Sequence, residues 1–195
     1  MNTYAYKYEN NLYINLTNKC CNNCDFCIRN NGDGIGDSPS LWLEKEPEAC
    51  EVIAQINAFN NDYDSIVFCG YGEPTYKLDV MCEVARYVKN KNKSIRLNTN
   101  GLGNLINNKN IVNDLKNVID VISVSLNESD SDKYDALCKP QYENAFDEIL
   151  DFTKKCVDAG INTIMSVVRV DSLDVEKCAE VCATTGAKFR VREKI

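Results

Sequence analysis

The sequence predicts an α/β fold, a partial (β/α)6 open barrel of TIM-like type that lacks most of its last helix. Three observations predict it. Six short β-like runs alternate with longer stretches of helical spacing, which implies a parallel sheet with right-handed crossovers. Several runs carry apolar and polar residues at alternate positions, so one face packs on helices and the other is wet. A parallel sheet covered on both faces would instead read as near-continuous apolar runs, so a flat doubly wound sheet is the weaker alternative.

The β-like runs are Leu12 to Leu16, Ser65 to Cys69, Ser94 to Asn98, Val121 to Leu126, Thr163 to Val170 and Ala187 to Val191. In the first, Leu12, Ile14 and Leu16 oppose Tyr13, Asn15 and Thr17. In the third, Ile95 and Leu97 oppose Arg96, Asn98 and Asn100. In the fourth, Ile122, Val124 and Leu126 oppose Ser123, Ser125 and Asn127. In the last, Phe189 and Val191 oppose Lys188, Arg190 and Arg192. Helical spacing joins Ala49, Val52, Ile53 and Ile56, then Met81, Val84, Ala85 and Val88, then Phe146, Ile149, Leu150 and Thr153. Pro47 suits a helix start, and Gly160 and Gly186 suit helix stops. The Gly/Asp/Asn-rich stretch Asn30 to Ser40 reads as one long loop. No linker, repeat or low-complexity segment divides the sequence, so residues 1–195 are expected to form one domain.

Composition narrows the function. Hydrophobic residues make up 44% and charged residues 26%, the balance of a globular protein. A net charge of -7 argues against nucleic acid and anionic membranes as partners. No signal peptide or apolar run long enough to span a bilayer is evident, so a cytoplasmic, thiol-reducing location is expected. Eleven cysteines there point to metal binding, catalysis or core packing rather than disulfides. With no histidine in the sequence, metal chemistry must rest on thiolates or carboxylates.

The sharpest motif is Cys20-Cys21-Asn22-Asn23-Cys24-Asp25-Phe26-Cys27, directly after the first strand. Cys20, Cys24 and Cys27 form C-x3-C-x-aromatic-C, three thiolates on one short loop. Three cysteines can hold an iron–sulfur cluster and leave one iron open. The same spacing suits a zinc site completed by a distant fourth cysteine, or arises by chance clustering in a cysteine-rich sequence. The loop sits at the C-terminal rim, where barrels of this kind carry their chemistry. Three further motifs end successive strands: Cys69-Gly70-Tyr71-Gly72-Glu73-Pro74, Asn98-Thr99-Asn100-Gly101 and Ser125-Leu126-Asn127. Glycine lets backbone approach a ligand closely, and Glu73 offers a charge-assisted acceptor for an ammonium.

This set of motifs resembles the radical S-adenosylmethionine (SAM) superfamily. The resemblance implies a radical SAM type barrel with a [4Fe-4S] cluster on Cys20, Cys24 and Cys27, its open iron chelated by SAM. It implies reductive cleavage of SAM to a 5′-deoxyadenosyl radical that abstracts hydrogen from substrate, and hence an oxygen-sensitive enzyme. It further implies a SAM site of Phe26, Gly72, Glu73, Asn98, Ser125, Asn127 and Val168. Tyr71 departs from the family, which usually has glycine there. A low-potential electron donor such as flavodoxin or ferredoxin is the implied partner.

The blocks Leu41-Trp42-Leu43-Glu44, Phe68 to Thr75, Arg96 to Leu105 and Phe189-Arg190-Val191-Arg192-Glu193 resemble the TatD-linked radical SAM group. That narrower likeness implies a functional link to a TatD-type hydrolase and carries no substrate. The alternatives are a 7-carboxy-7-deazaguanine synthase-like enzyme and a non-catalytic iron–sulfur electron-transfer protein.

Arg96, Arg169, Arg190 and Arg192 are candidate substrate residues, because guanidinium groups suit bidentate recognition of carboxylate or phosphate. They predict a substrate with an anionic group. Cys138, on the rim loop after the fourth strand, is the candidate for a functional cysteine outside the cluster. Cys178 and Cys182 could ligate a second metal, but they share a helical stripe with Val175, Ala179 and Ala183, which favours core packing.

Overall fold

The computed structural model describes residues 2–170 and 173–193. Its sheet runs in sequence order: β1 (Ala5–Tyr8), β2 (Asn11–Ile14), β3 (Ser65–Phe68), β4 (Ser94–Thr99), β5 (Val121–Ser125), β6 (Asn162–Val168) and β7 (Lys188–Arg192). Strands β2 to β7 run parallel to one another and correspond to the six expected runs. The first and last strands do not pair, so the barrel is open.

Strand β1 is an addition. It pairs antiparallel with β2 through a two-residue turn in which Glu9 takes φ 52°. Two-residue hairpin turns with positive φ usually carry Asn-Gly or Asp-Gly. Glu9-Asn10 lacks that signature, which is why the hairpin is hard to read from sequence.

The crossovers carry α1 (Ala49–Ala58), α2 (Leu78–Lys89), α3 (Gly103–Asn107), α4 (Val112–Leu115), α5 (Ser131–Cys138), α6 (Ala145–Asp158) and α7 (Val175–Ala183). Helix α1 begins two residues after Pro47, and the Glu51 carboxylate accepts the Glu48 N–H at 2.9 Å. Gly160 and Gly186 follow α6 and α7 with φ near 80°, as expected of helix stops. Helices α3 and α4 span little more than a turn each, too short to show a period.

The core lies between the helices and the outer face of the sheet. Ile66, Phe68, Ile95, Leu97, Ile122, Val124, Met165 and Val167 are fully buried there, against Met81, Val84, Ala85 and Val88 of α2 and Ile149 and Phe152 of α6. Each such side chain stabilises the fold by about 1.5–3 kcal/mol relative to exposure. Cys178 and Cys182 belong to this core, as their stripe predicts. With that face buried, the alternate residues of each strand point into the barrel.

A second, smaller cluster joins Tyr6, Leu41 and Tyr71 beneath the long loop. The Tyr71 hydroxyl donates to Gly32 O at 2.6 Å, and Trp42 packs edge-on against its ring. Tyr71 therefore anchors the loop.

Candidate active site

The inward face lines a cavity of about 520 Å³ that the cysteine loop also borders. Cys20, Cys24 and Cys27 line it together. Cys21 does not: it is fully buried, and its Sγ accepts from Asn100 Nδ2 at 3.1 Å. That separates two triads the sequence permits, because Cys21-x2-Cys24-x2-Cys27 is also evenly spaced. The loop is held by backbone hydrogen bonds from Asn23 N to Cys138 O at 2.9 Å, Asp25 N to Leu137 O at 3.1 Å and Gln141 N to Cys21 O at 2.8 Å. Asn22 Nδ2 adds a bond to the buried Tyr134 hydroxyl at 2.8 Å.

The three thiols resist ionisation. Burial pushes Cys20 up to about 12 and raises Cys27. Cys24 is raised first by hydrogen bonding with the neighbouring Cys138 thiol, then by burial. Ligation must therefore displace a proton from each, since thiolate is the metal-binding form.

The donor set fits the cluster: Cys20, Cys24 and Cys27 are three thiols on one loop that line one cavity, and cysteine thiolates are the ligands iron–sulfur clusters take.

Of the residues expected to bind SAM, Phe26, Asn98, Ser125, Asn127 and Val168 line the cavity, together with Asn100 and Ser123. Asn127 takes φ 63°, a left-handed conformation asparagine tolerates, and its Nδ2 reaches Cys138 Sγ at 3.6 Å. Its Oδ1 is buried without a partner, as is Oδ1 of Asn22. Buried polar atoms without partners, aimed at a cavity, are what a polar ligand would satisfy.

Glu73 and Gly72, expected in the SAM site, do not line the cavity themselves. The Glu73 carboxylate is buried and accepts four hydrogen bonds. Thr75 N (3.2 Å), Thr75 Oγ1 (2.8 Å) and Thr99 Oγ1 (2.8 Å) reach Oε1, and Asn100 N (2.7 Å) reaches Oε2. Burial raises its pKa, while these four bonds pull the other way. Three of the donors crowd Oε1, and Asn100 N alone reaches Oε2. It acts as a clasp between the β3 and β4 loops. Gly72 lies where a Cβ would come within 2.3 Å of Thr17 O and 2.6 Å of Lys19 O. Its missing side chain lets Glu73 N bond Lys19 O at 2.8 Å, beside the first cluster cysteine.

The arginines divide. Arg96, Arg190 and Arg192 line the cavity with Tyr13. Arg169 does not: it is exposed and paired with Glu193 at 3.0 Å. Burial lowers the Arg192 pKa, the Cys69 thiol opposes this, and Arg190 and Arg96 nearby add to it. Cys138 is fully buried and absent from the cavity lining, so it supports the cysteine loop rather than facing a substrate. Asn15 and Thr17, on the polar side of the first strand, are also spent internally. Asn15 Nδ2 donates to Leu41 O at 2.7 Å, and Thr17 Oγ1 donates to Glu46 at 2.7 Å. Tyr13 and Ser123 also line the cavity and belong to no motif; their signal is strand parity.

Comparisons with known proteins identify the family. Over residues 14–180 the chain matches the family model of the radical SAM superfamily. A protein of Methanocaldococcus jannaschii named "Probable GTP 3′,8-cyclase" is 26% identical over 189 residues, covering 94% of this chain and 58% of that protein. The chain thus spans less than two thirds of that relative. Streptococcus suis SuiB bound to precursor peptide SuiA superposes with a TM-score of 0.73 at 16% identity, covering 98% of this chain and 40% of SuiB. The native anSMEcpe structure with bound AdoMet gives 0.65 at 15%, covering 94% and 50%. Among the described residues no helix is long and apolar enough to cross a membrane. With three cysteines at the mouth of an open barrel and a family match over most of its length, the chain belongs to the radical SAM superfamily, whose enzymes use a [4Fe-4S] cluster and S-adenosylmethionine.

Proposed function

We propose that Cys20, Cys24 and Cys27 hold the [4Fe-4S] cluster, and that the adjoining cavity binds SAM and an anionic substrate for hydrogen abstraction. The observation that carries this is the selection of Cys20, Cys24 and Cys27 by one cavity, with Cys21 turned away. When bound, cluster and SAM supply a 5′-deoxyadenosyl radical, the kind of chemistry a cofactor carries while the protein places it. This chain's residues do the placing. Asn98, Ser125 and Asn127 offer the mixed donors and acceptors that ribose hydroxyls and an amino-acid head require. Phe26, on the cysteine loop, offers an apolar face for adenine, as does Val168 on β6. Glu73 and Gly72 fix the loops that carry these groups.

The arginines support an anionic substrate. So does the likeness to a protein named for a reaction on GTP, itself an anion, although the chain spans only 58% of that protein and GTP is not carried over. The blocks around Trp42 and Arg190 support placement in the TatD-linked group, with a TatD-type hydrolase as functional partner. A flavodoxin or ferredoxin would supply the electron.

The test is anaerobic reconstitution with iron and sulfide, reduction with dithionite and addition of SAM. Release of 5′-deoxyadenosine, read by mass spectrometry, is expected. A fully loaded protein that binds SAM and releases none would overturn the enzymatic reading in favour of electron transfer.

A further inference from the structure

We propose that Arg96, Arg190 and Arg192, with the Tyr13 hydroxyl, form a phosphoryl-binding subsite, so that the substrate is a small phosphorylated molecule. The inference rests on the reading of the cavity as a SAM and substrate site and names the chemistry of the substrate.

The three guanidinium groups lie together on the inward face. Arg96 Nη2 reaches the Tyr13 hydroxyl at 3.5 Å. Arg190 and Arg192 follow each other on the same face of β7, opposite Ser166 and Val168 of β6. The Nε atoms of Arg96 and Arg192 are buried and have no hydrogen-bond partner. None of the three forms an ion pair among the described residues. Two carboxylates line the cavity without neutralising them. Glu193 is engaged with Arg169 at 3.0 Å, and Glu9, in the β1–β2 turn, makes no ion pair among the described residues. In a chain of net charge -7, three unpaired arginines in one cavity are a local reversal of sign.

Charge and geometry decide the class of anion. One carboxylate is satisfied by one bidentate guanidinium and carries a single charge. Opposite three guanidiniums it would leave two charges uncompensated in a partly desolvated site, which is unfavourable. A phosphoryl group carries about -1.5 to -2 at neutral pH and offers three acceptor oxygens. A diphosphate carries more, and either matches the trio far better.

The SAM carboxylate is not the natural occupant. It must reach the cluster, at the end of the cavity where Asn100 Nδ2 lies 4.0 Å from Cys20 Sγ. Arg96 lies on β4 four residues before Asn100, a backbone separation of about 13 Å at roughly 3.3 Å per residue.

The test titrates cluster-loaded, SAM-saturated protein with inorganic phosphate, pyrophosphate, succinate and acetate by anaerobic calorimetry. Phosphate or pyrophosphate should bind more tightly than succinate, acetate should not register, and affinity should fall with added salt. R96Q and R192Q should weaken binding by about ten- to a hundredfold. R192K, which keeps charge but loses the planar fork, should fall between. Circular dichroism on each variant checks folding, and R190Q at the exposed end serves if an inner variant misfolds. Tighter succinate binding, no phosphate binding, equal affinity in the variants, or mutual exclusion of SAM and pyrophosphate would each overturn the proposal. Release of 5′-deoxyadenosine without substrate is read separately, so a failed phosphate site is distinguishable from a failed radical SAM assignment.

Discussion

The backbone N–H of Asn100 donates to the Glu73 carboxylate at 2.7 Å, and the Asn100 side chain reaches on to Cys21 Sγ at 3.1 Å. A carboxylate that sequence reasoning aims at a ligand therefore ties one loop to the next. Its influence on SAM is expected to pass through position. E73Q replaces an acceptor oxygen by an amide that faces an N–H, and should lower the stability of the cluster-free chain by about 1–3 kcal/mol. Urea unfolding reads that loss. SAM affinity of the variant that still assembles a cluster should change less than about threefold, which corresponds to under 1 kcal/mol. A large loss of SAM affinity with unchanged stability would restore direct contact.

Gly72 makes the same point through sterics. A methyl group there meets backbone carbonyls of Thr17 and Lys19, which cannot swing aside as a side chain tip could. G72A should cost about 1–3 kcal/mol in stability, in the range of overpacking. Because Lys19 precedes Cys20, it should also reduce iron retained after reconstitution. Iron analysis beside the unfolding curve checks both; wild-type values in both would show that the loop contact does not matter.

The buried thiols imply a pH dependence of the cluster-free chain. Burial raises Cys20 and Cys21 from the ordinary 9.0 to about 12 in the folded state. A folded pKa above the unfolded one stabilises the fold below the unfolded value, and that contribution is lost as pH rises through the folded value. Stability under reducing conditions should thus hold to about pH 9 and then decline toward pH 12. Buried tyrosines such as Tyr6, also raised by burial, act in the same direction. Urea midpoints measured across that range test the sign; a midpoint that rose above pH 9 would contradict it.

The sheet is legible in the sequence because alternation is a local property. Ile95 and Leu97 against Arg96 and Asn98 state which way each side chain points, and the inward set matches the cavity lining. The cysteine loop is legible because its ligands lie within eight residues, Cys20 to Cys27. What the sequence does not show depends on distance along the chain. Thr99, near Glu73 only in space, decides where that carboxylate points. Glu193, 24 residues after Arg169, pairs with that arginine. Cys138 reads as free on a rim loop, but its own peptide braces the cysteine loop 115 positions earlier through Asn23. Tyr71 replaces a family glycine, and only the loop it anchors, bonded through Gly32 O, explains its size.

Cys20, and not its neighbour Cys21, should join Cys24 and Cys27 as a ligand. The direct measurement is iron and sulfide content with electron paramagnetic resonance of the reduced protein, after anaerobic reconstitution of four single alanine variants. C20A, C24A and C27A should lose the [4Fe-4S] signal and most of the iron. C21A should keep both, with a lower unfolding midpoint from a lost buried side chain and its bond to Asn100. Full clusters in C20A with loss in C21A would contradict the assignment.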